Sequence, residues 1–231
     1  MSQGRFIVID GTDGSGKGTQ TRKLNERLLA EGYKVFLADF PRYGNPSAYS
    51  IERYLRGEYG GVNEVSAKRA SLFFAIDRHD ASFEIREKLA QGYTVISNRY
   101  VSANKGHQTG KITDPAERKA FVAWLNELEY DIFGIPKPDL TILLHVPSGV
   151  SYQLIAQKDE RGYLDGKKRD IHEADADHLR AAEEAYLEML KEDTAEHWQL
   201  LSCVEGGNLL PIDTIHERLW EVIKPLLPTQ S

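Results

Sequence analysis

A glycine-rich segment near the N-terminus has the residue types and spacing that bind phosphate. It consists of Gly11, Thr12, Asp13, Gly14, Ser15, Gly16, Lys17, Gly18 and Thr19. Between a strand and a helix, such a segment directs backbone N–H groups at phosphate oxygens, and its lysine reaches the β- and γ-phosphates. Residues 11–19 therefore predict a P-loop that binds the phosphates of a nucleoside triphosphate.

The residue after the lysine bears on the metal that accompanies such a nucleotide. Most P-loops have Ser or Thr there as an Mg²⁺ ligand, whereas this chain has Gly18, with a hydroxyl one position later at Thr19. We therefore expect Mg²⁺ to be held mainly by phosphates and water, as is common for this ion. The protein ligands of the metal stay unassigned.

Two arginines indicate a second set of phosphate-binding residues, in addition to the P-loop. Arg42 and Arg99 each lie just past the end of an apolar run. In a parallel sheet these positions meet at the crevice where ligands bind, and the planar guanidinium group matches phosphate geometry. An aromatic and a third arginine, Phe74 and Arg78, are one helical turn apart and share a helix face.

The elements that must position these groups alternate between strand and helix. Predicted strands are Phe6–Asp10, Val35–Phe40, Thr94–Asn98, Leu140–His145 and Trp198–Val204, and predicted helices are Lys17–Glu31, Ser66–Gln91, Pro115–Phe133 and Ile212–Leu226. Because each strand is almost wholly apolar, the pattern indicates an α/β fold with a five-stranded parallel sheet covered by helices on both faces.

Composition excludes several classes of protein. The 231 residues are 41% hydrophobic and 28% charged, which is typical of a folded globular chain, and the net charge of −6 argues against nucleic-acid binding. The apolar runs are too short to cross a bilayer. With one cysteine and no leader peptide, we expect a cytoplasmic protein without disulfides.

No linker or repeat divides the chain, so residues 1–231 are predicted to form one domain.

Four ordered motifs identify a family resemblance. Besides the P-loop, the chain contains Phe40-Pro-Arg-Tyr-Gly44, Leu72-Phe-Phe-Ala-Ile-Asp-Arg78 and Asn98-Arg-Tyr-Val-Ser-Ala-Asn104. With these motifs the chain resembles the thymidylate kinases from about residue 5 to the last helix. The resemblance implies the nucleoside monophosphate kinase fold of P-loop NTPases, ATP and dTMP as substrates, Mg²⁺ as cofactor, and a homodimer.

The resemblance also implies roles for single residues. Arg99 would bridge the phosphates of donor and acceptor, and Arg42, in the motif that begins at Phe40, would position the acceptor phosphate. The carboxylate of Asp13 would accept a hydrogen bond from the deoxyribose 3′-hydroxyl. Lys17, Arg99 and Asp13 are thus the expected catalytic groups in the part of the chain before the lid.

The base and sugar contacts follow in the same way. Phe74 would stack on thymine, Arg78 would donate to its O4 edge, and Asn104 would contact the pyrimidine edge. His107 stands where many members of the family have Tyr or Phe under the deoxyribose, so the substitution predicts weaker discrimination against a 2′-hydroxyl.

The charged segment Lys158–Asp175 is either a solvated loop or a mobile lid, and the resemblance favours a lid at about residues 158–172. Some family members have an arginine in the P-loop where this chain has Gly14, so the missing charge must come from elsewhere. As in bacterial members, the lid is the expected source. Arg161 is the first candidate for the catalytic arginine and Arg169 the second.

Two departures from the family pattern bear on the metal and on adenine. Family members have Asp before the arginine of the third strand, near the water shell of Mg²⁺, whereas this chain has Asn98. Either Asp10 compensates or the metal site is weaker. No arginine opens the lid to lie against adenine, so Glu205-Gly-Gly207 is either an adenine contact or an ordinary turn.

Two other functions stay open on the sequence alone. Gly16-Lys-Gly-Thr19 also resembles adenylate kinase, so the acceptor could be dUMP or a purine monophosphate. The changes at Gly18 and Asn98 also fit an ATP-binding regulator without catalytic activity. Acceptor-dependent release of ADP distinguishes an enzyme from such a regulator.

Overall fold

Five parallel strands form the central sheet in the computed structural model, which describes residues 4–155 and 176–228. The strands are β1 (Arg5–Asp10), β2 (Val35–Asp39), β3 (Thr94–Asn98), β4 (Leu140–His145) and β5 (Trp198–Ser202). Their order is β2-β3-β1-β4-β5, and every pairing is parallel. The predicted five-stranded parallel sheet is confirmed.

Helices cover both faces of this sheet. Those of the described residues are α1 (Lys17–Ala30), α2 (Tyr49–Leu55), α3 (Ala67–Ala90), α4 (Val101–His107), α5 (Pro115–Asn126), α6 (Ser148–Ile155), α7 (Ala176–Glu192) and α8 (Ile212–Ile223). Two of the predicted starts coincide with side-chain caps, because Ser66 accepts from the Arg69 N–H (3.4 Å) and Asp114 from the Glu117 N–H (2.9 Å). None of the helices within the described ranges is long and apolar enough to span a membrane.

The apolar core lies on the two faces of β1. Ile7 and Ile9 pack with residues of α1 and α8, whereas Phe6 and Val8 pack with residues of α3 on the other face. This alternation follows from the two-residue period of a strand. A sheet buried on both sides leaves its carboxyl edge as the place where polar groups can meet a ligand.

The helix predicted at about Pro115–Phe133 changes its geometry near the end. The chain is helical to Ile132, but after Asn126 it forms a π-helical segment, Glu127–Ile132. Such segments insert an extra residue into a helical turn and are frequent at functional sites. Here the change places the carboxylate of Glu129 in the interior, with none of its surface exposed.

Helix α4 was missed because its buried side is polar. Ser102, Asn104, Lys105 and His107 are all buried, so the segment has no apolar period. Lys105 is fully buried and donates to a carboxylate oxygen of Asp193 and to one of Glu196, both at 2.6 Å. This ion network stabilises α4 against the loop that precedes β5. The other helices that sequence analysis left unassigned are α2, α6 and α7.

Candidate active site

A cleft of about 570 Å³ lies at the carboxyl ends of β1, β2 and β3. Its size is that of a small-molecule binding site. Most of the predicted site residues line it: Asp13, Gly14, Gly16, Lys17, Gly18, Thr19, Phe40, Phe74, Arg78, Arg99, Asn104 and His107. The cleft therefore brings the phosphate loop, two of the three arginines and the aromatic ring together.

The phosphate loop connects β1 to α1, and three of its glycines, Gly11, Gly14 and Gly16, have a positive φ. Gly11 has a φ of 146°, and a Cβ there would come within 2.5 Å of the Leu144 carbonyl oxygen. Gly16, directly before α1, has a φ of 85° in the left-handed region. Side chains are disfavoured in these conformations. Gly11, Thr12 and Ser15 belong to the loop without lining the cleft.

The ammonium group of Lys17 lies over this loop. The side chain is buried, and Nζ donates to the Thr12 carbonyl oxygen at 2.7 Å. A buried ammonium at the N-terminus of α1 adds to the positive end of the helix dipole. The loop and Lys17 together favour a polyphosphate.

Asp10 lies beneath the loop and does not line the cleft. Its Oδ1 accepts from the Gly11 N–H (2.7 Å) and the Tyr186 hydroxyl (2.9 Å), and its Oδ2 accepts from the Ser102 hydroxyl. These donors hold the carboxylate against α4 and α7. Asp10 thus anchors the loop, and its position does not favour the expectation that it compensates for Asn98.

Arg99 follows β3 with a left-handed backbone, at a φ of 65°. Its guanidinium forms an ion pair with Asp13, and Nη1 lies 3.0 Å from His107 Nε2. Burial, the largest single effect, would lower the pKa of Arg99, but the charges of Asp13, Asp10 and neighbouring tyrosines together outweigh it and the pKa is raised. Non-glycine residues with strained backbones cluster at functional sites. The arginine is held as a charged group facing the P-loop.

The ring of His107 is neutral. Burial, with the charge of Arg99 adding to it, lowers the pKa of His107 well below its usual value. Because a guanidinium only donates, His107 Nε2 accepts from Arg99, and the ring proton is assigned to Nδ1. The ring also contacts His178 and Tyr186 of α7, at centroid distances of 5.7 and 5.8 Å. His107 thus contributes to positioning Arg99.

The two neighbouring phenylalanines of α3 have different surroundings. Phe74 lines the cleft, whereas Phe73 packs against Tyr54 and Tyr59 at centroid distances of 6.1 and 5.5 Å. Asn104 also lines the cleft, and its Nδ2 donates to the Ser71 carbonyl oxygen at 3.3 Å. Phe74 is thus the ring of the pair that can contact a base.

Sequence analysis missed the partner of Arg78. This arginine is 1% exposed and pairs with Glu129, with Nε lying 3.1 Å from Oε1. Its Nη1 donates to the Tyr100 carbonyl oxygen at 3.2 Å, and its Nη2 also contacts Glu129. Within the described residues, one N–H on each of Nη1 and Nη2 has no acceptor. A fully buried arginine requires a counter-charge, and this requirement is the signal from which an acidic partner of Arg78 could have been expected.

Arg42 does not line the cleft. Its Nε donates to Asp77 Oδ1 at 2.9 Å, and its Nη2 donates to the Ser47 hydroxyl at 2.8 Å. Asp80 forms a second ion pair with Nη2. The described contacts of Arg42 are to α3 and to Ser47, and its expected contact with the acceptor phosphate stays a prediction.

Two further expectations concern the lid and adenine. The lid at residues 158–172, with Arg161 and Arg169, lies outside the described residues. Gly206 and Gly207 form the turn between two short antiparallel strands, β6 (Val204–Glu205) and β7 (Asn208–Leu209), and Glu205, the last residue of β6, pairs with Arg218 at 2.6 Å. This geometry is that of an ordinary hairpin turn.

The described residues contain no group of three or more His, Cys, Asp or Glu side chains arranged to hold a metal ion. The cleft does offer oxygen donors, which suit Mg²⁺. They are the Thr19 hydroxyl and the side chains of Asp39 and Asn98. The donor set fits an ion that is held by phosphates and water and only assisted by the protein.

A parallel sheet of this order, with a central phosphate loop and an aromatic ring and arginines facing it, defines a P-loop nucleoside monophosphate kinase. The family model for thymidylate kinases matches residues 9–202. The chain belongs to the thymidylate kinase family.

Individual relatives agree with this assignment. The thymidylate kinase of Mycobacterium tuberculosis is 33% identical over 207 residues, covering 88% of this chain and 94% of that protein. The human thymidylate kinase is 28% identical over 215 residues, covering 93% and 87%. A solved structure of the Candida albicans thymidylate kinase matches the fold with a TM-score of 0.73 at 24% identity, covering 98% of this chain and 94% of that one.

Proposed function

We propose that the protein transfers the γ-phosphoryl group of ATP to dTMP, yielding dTDP and ADP. The observation that carries this assignment is the placement of Phe74 and Arg78 across one cleft from the P-loop. A phosphate loop alone fits many nucleotide-binding proteins. An aromatic face and buried guanidinium donors opposite it supply what a pyrimidine base requires.

Catalysis in this site is a matter of position and charge. The P-loop N–H groups and Lys17 hold the donor phosphates, and Arg99 offers its guanidinium to the oxygens that share the charge of the transferring group. Asp13 and His107 hold Arg99 in place beforehand, so little reorganisation is needed during the reaction. We propose Mg²⁺ as the cofactor, which neutralises charge between the β- and γ-phosphates when bound.

Base selection is assigned to the free N–H groups of Arg78. Thymine and uracil present an acceptor oxygen at position 4, whereas cytosine presents an amino donor. If the buried Arg78 donor meets the amino donor of cytosine, both groups lack an acceptor, and this discriminates strongly against cytosine. The 5-methyl group adds only apolar contact, which is worth a factor of roughly 10 to 200.

We expect the following order of kcat/KM in a coupled assay of ADP release. dTMP ranks first, dUMP is about ten- to a hundredfold lower, and dCMP and purine monophosphates are far lower. ADP release without an acceptor serves as the background. A purine monophosphate that turns over faster than dTMP would refute the assignment, and ATP binding without acceptor-dependent ADP release would identify a regulator.

We also propose a homodimer, formed through an apolar stripe on α3. Leu72, Ile76 and Phe83 are 39%, 51% and 63% exposed and lie on one side of the helix. The ring of His79, between them, contacts Phe83 at a centroid distance of 5.4 Å. A single helix stripe can pack against its own copy about a two-fold axis, which is the commonest symmetry of homo-oligomers.

Replacing Ile76 and Phe83 together with glutamate is expected to raise the dimer dissociation constant at least about a hundredfold, because four charges would be buried at the interface. Sedimentation equilibrium measures the constant. Glu84→Lys, an exposed change on α3 outside the stripe, is the control and should leave it unaltered. An unchanged constant in the double variant would place the interface elsewhere.

We further propose that the chain forms one domain. The strands of the sheet come from residues 5–202, and α8 packs against α1 on the same core. This common core supports a single folding unit.

A further inference from the structure

Asp39 and Asn98 occupy the ends of two adjacent strands at the cleft. They are register partners, the last residues of β2 and β3. The Asn98 Nδ2 donates to Asp39 Oδ1 at 2.7 Å, and both residues line the cleft with Lys17 and Thr19. The amide thus orients the carboxylate beside the phosphate loop.

Each residue of this pair has one oxygen that takes no part in the shared hydrogen bond and can accept from a ligand. Asn98 Oδ1 is buried and accepts no hydrogen bond from the described part of the chain. Asp39 uses Oδ1 for Asn98, and among the described residues no donor reaches its Oδ2. Two oxygen acceptors therefore remain beside the P-loop, and a ligand with several O–H donors would satisfy both.

The electrostatics of Asp39 favour a cation between it and the phosphates. The residue is exposed towards the cleft, yet desolvation raises the pKa of its carboxyl group. The hydrogen bond from Asn98 and the charges of Arg99 and Lys17 act in the opposite direction and are outweighed. A carboxylate and nucleotide phosphates in one cleft repel each other. A divalent cation with bound water turns this repulsion into attraction on both sides.

The other carboxylates at this edge are already engaged. Both oxygens of Asp10 accept from neighbouring groups under the loop, and Asp13 is paired with Arg99. Of the carboxylates at this edge in the described ranges, Asp39 faces the cleft with Oδ2 left over. It lies next to Asn98, where the thymidylate kinases that this sequence resembles have aspartate.

We propose that Asp39, oriented by Asn98, is the carboxylate that binds the water shell of Mg²⁺ in this protein. Compared with the family pattern, the negative charge lies one strand away, at the end of β2 instead of the end of β3. The Asn98 amide connects the two positions through its hydrogen bond to Asp39. This inference rests on the proposed function for the identity of the nucleotide. Its test uses ADP alone, so it can fail while the kinase activity stands.

The experiment measures Mn²⁺ affinity of the enzyme–ADP complex by the electron paramagnetic resonance signal of free Mn²⁺. Asp39→Asn keeps the shape and the hydrogen bond to position 98 but removes the charge. Outer-shell partners of metals typically contribute ten- to a hundredfold in affinity. We expect Asp39→Asn to weaken Mn²⁺ binding about tenfold, while ADP affinity in EDTA does not fall, because the variant removes the repulsion between the carboxylate and the phosphates.

The charge exchange Asp39→Asn with Asn98→Asp is the decisive second variant. It returns the carboxylate to β3 with the hydrogen bond reversed, and it should restore most of the Mn²⁺ affinity. Asp213→Asn, a surface change on α8, is the matched control and should have no effect. Unaltered Mn²⁺ affinity in Asp39→Asn would overturn the proposal. So would a loss that the exchange does not restore, because Asp39 would then act through local structure.

Discussion

Replacing Arg99 with alanine is expected to lower kcat for dTMP phosphorylation at least about a hundredfold, the effect of removing one preorganised charge from a transition state. The structure holds this guanidinium between Asp13 and His107, facing the P-loop. The change should affect kcat more than KM, because the contact strengthens as charge spreads over the transferring group. Steady-state kinetics with ATP and dTMP both varied measures the two constants.

Arg99→Lys is the matched variant. It keeps a positive charge but lacks the planar fork that can contact two phosphates at once, so we expect intermediate activity. Far-ultraviolet circular dichroism and urea unfolding check that both variants fold. An alanine variant that folds and keeps more than a third of the normal kcat would remove Arg99 from the mechanism.

The P-loop and the sheet could be predicted because both depend on local sequence. Short apolar runs between glycines define the strands, and Thr94–Asn98 and Leu140–His145 match the structure at both ends. The phosphate loop is likewise contiguous, so its glycines and Lys17 can be read directly. Since the strands are parallel, residues that follow them must meet at one edge, and this placed Arg99 and the P-loop together.

Residues that act through distant partners could not be predicted. Glu129 lies among other acidic residues, in a pattern typical of a solvated helix face, and only the π-helical segment turns it inward. Asp39 gains its place from the register of β2 with β3, which the sequence does not specify. The ion pairs of Arg42 with Asp77 and Asp80 could not be predicted either, because they depend on how α3 packs against the loop after β2. Arg161 stays a prediction.

The pair of Glu129 and Arg78 connects stability with base selection. Both side chains are almost wholly buried, and burial of the arginine is offset by the charge of Glu129, which raises its pKa. Glu129 engages Nε and Nη2, and the Tyr100 carbonyl oxygen engages Nη1. This arrangement fixes the plane of the guanidinium. Under the proposed function, it therefore determines where the remaining N–H groups would meet position 4 of the base.

Glu129→Gln is therefore expected to destabilise the protein by about 3 kcal/mol, near the value for breaking a buried ion pair by removing one charge. The glutamine can still accept one hydrogen bond, so Arg78 stays in place but is less well fixed. We expect KM for dTMP to rise and the preference for dTMP over dCMP to fall about tenfold, with little change in kcat. Urea unfolding and kinetics with both nucleotides measure these effects.

Glu129→Asp distinguishes positioning from a purely structural contribution. It keeps the charge but shortens the side chain, so stability should recover more than base preference does, because preference depends on the guanidinium plane. Glu127→Gln, an exposed change at the first residue of the same π-helical segment, is the control and should change neither. If both Glu129 variants are destabilised but retain the normal preference for dTMP over dCMP, Glu129 supports the fold alone, and base selection must rest on Phe74 and Asn104.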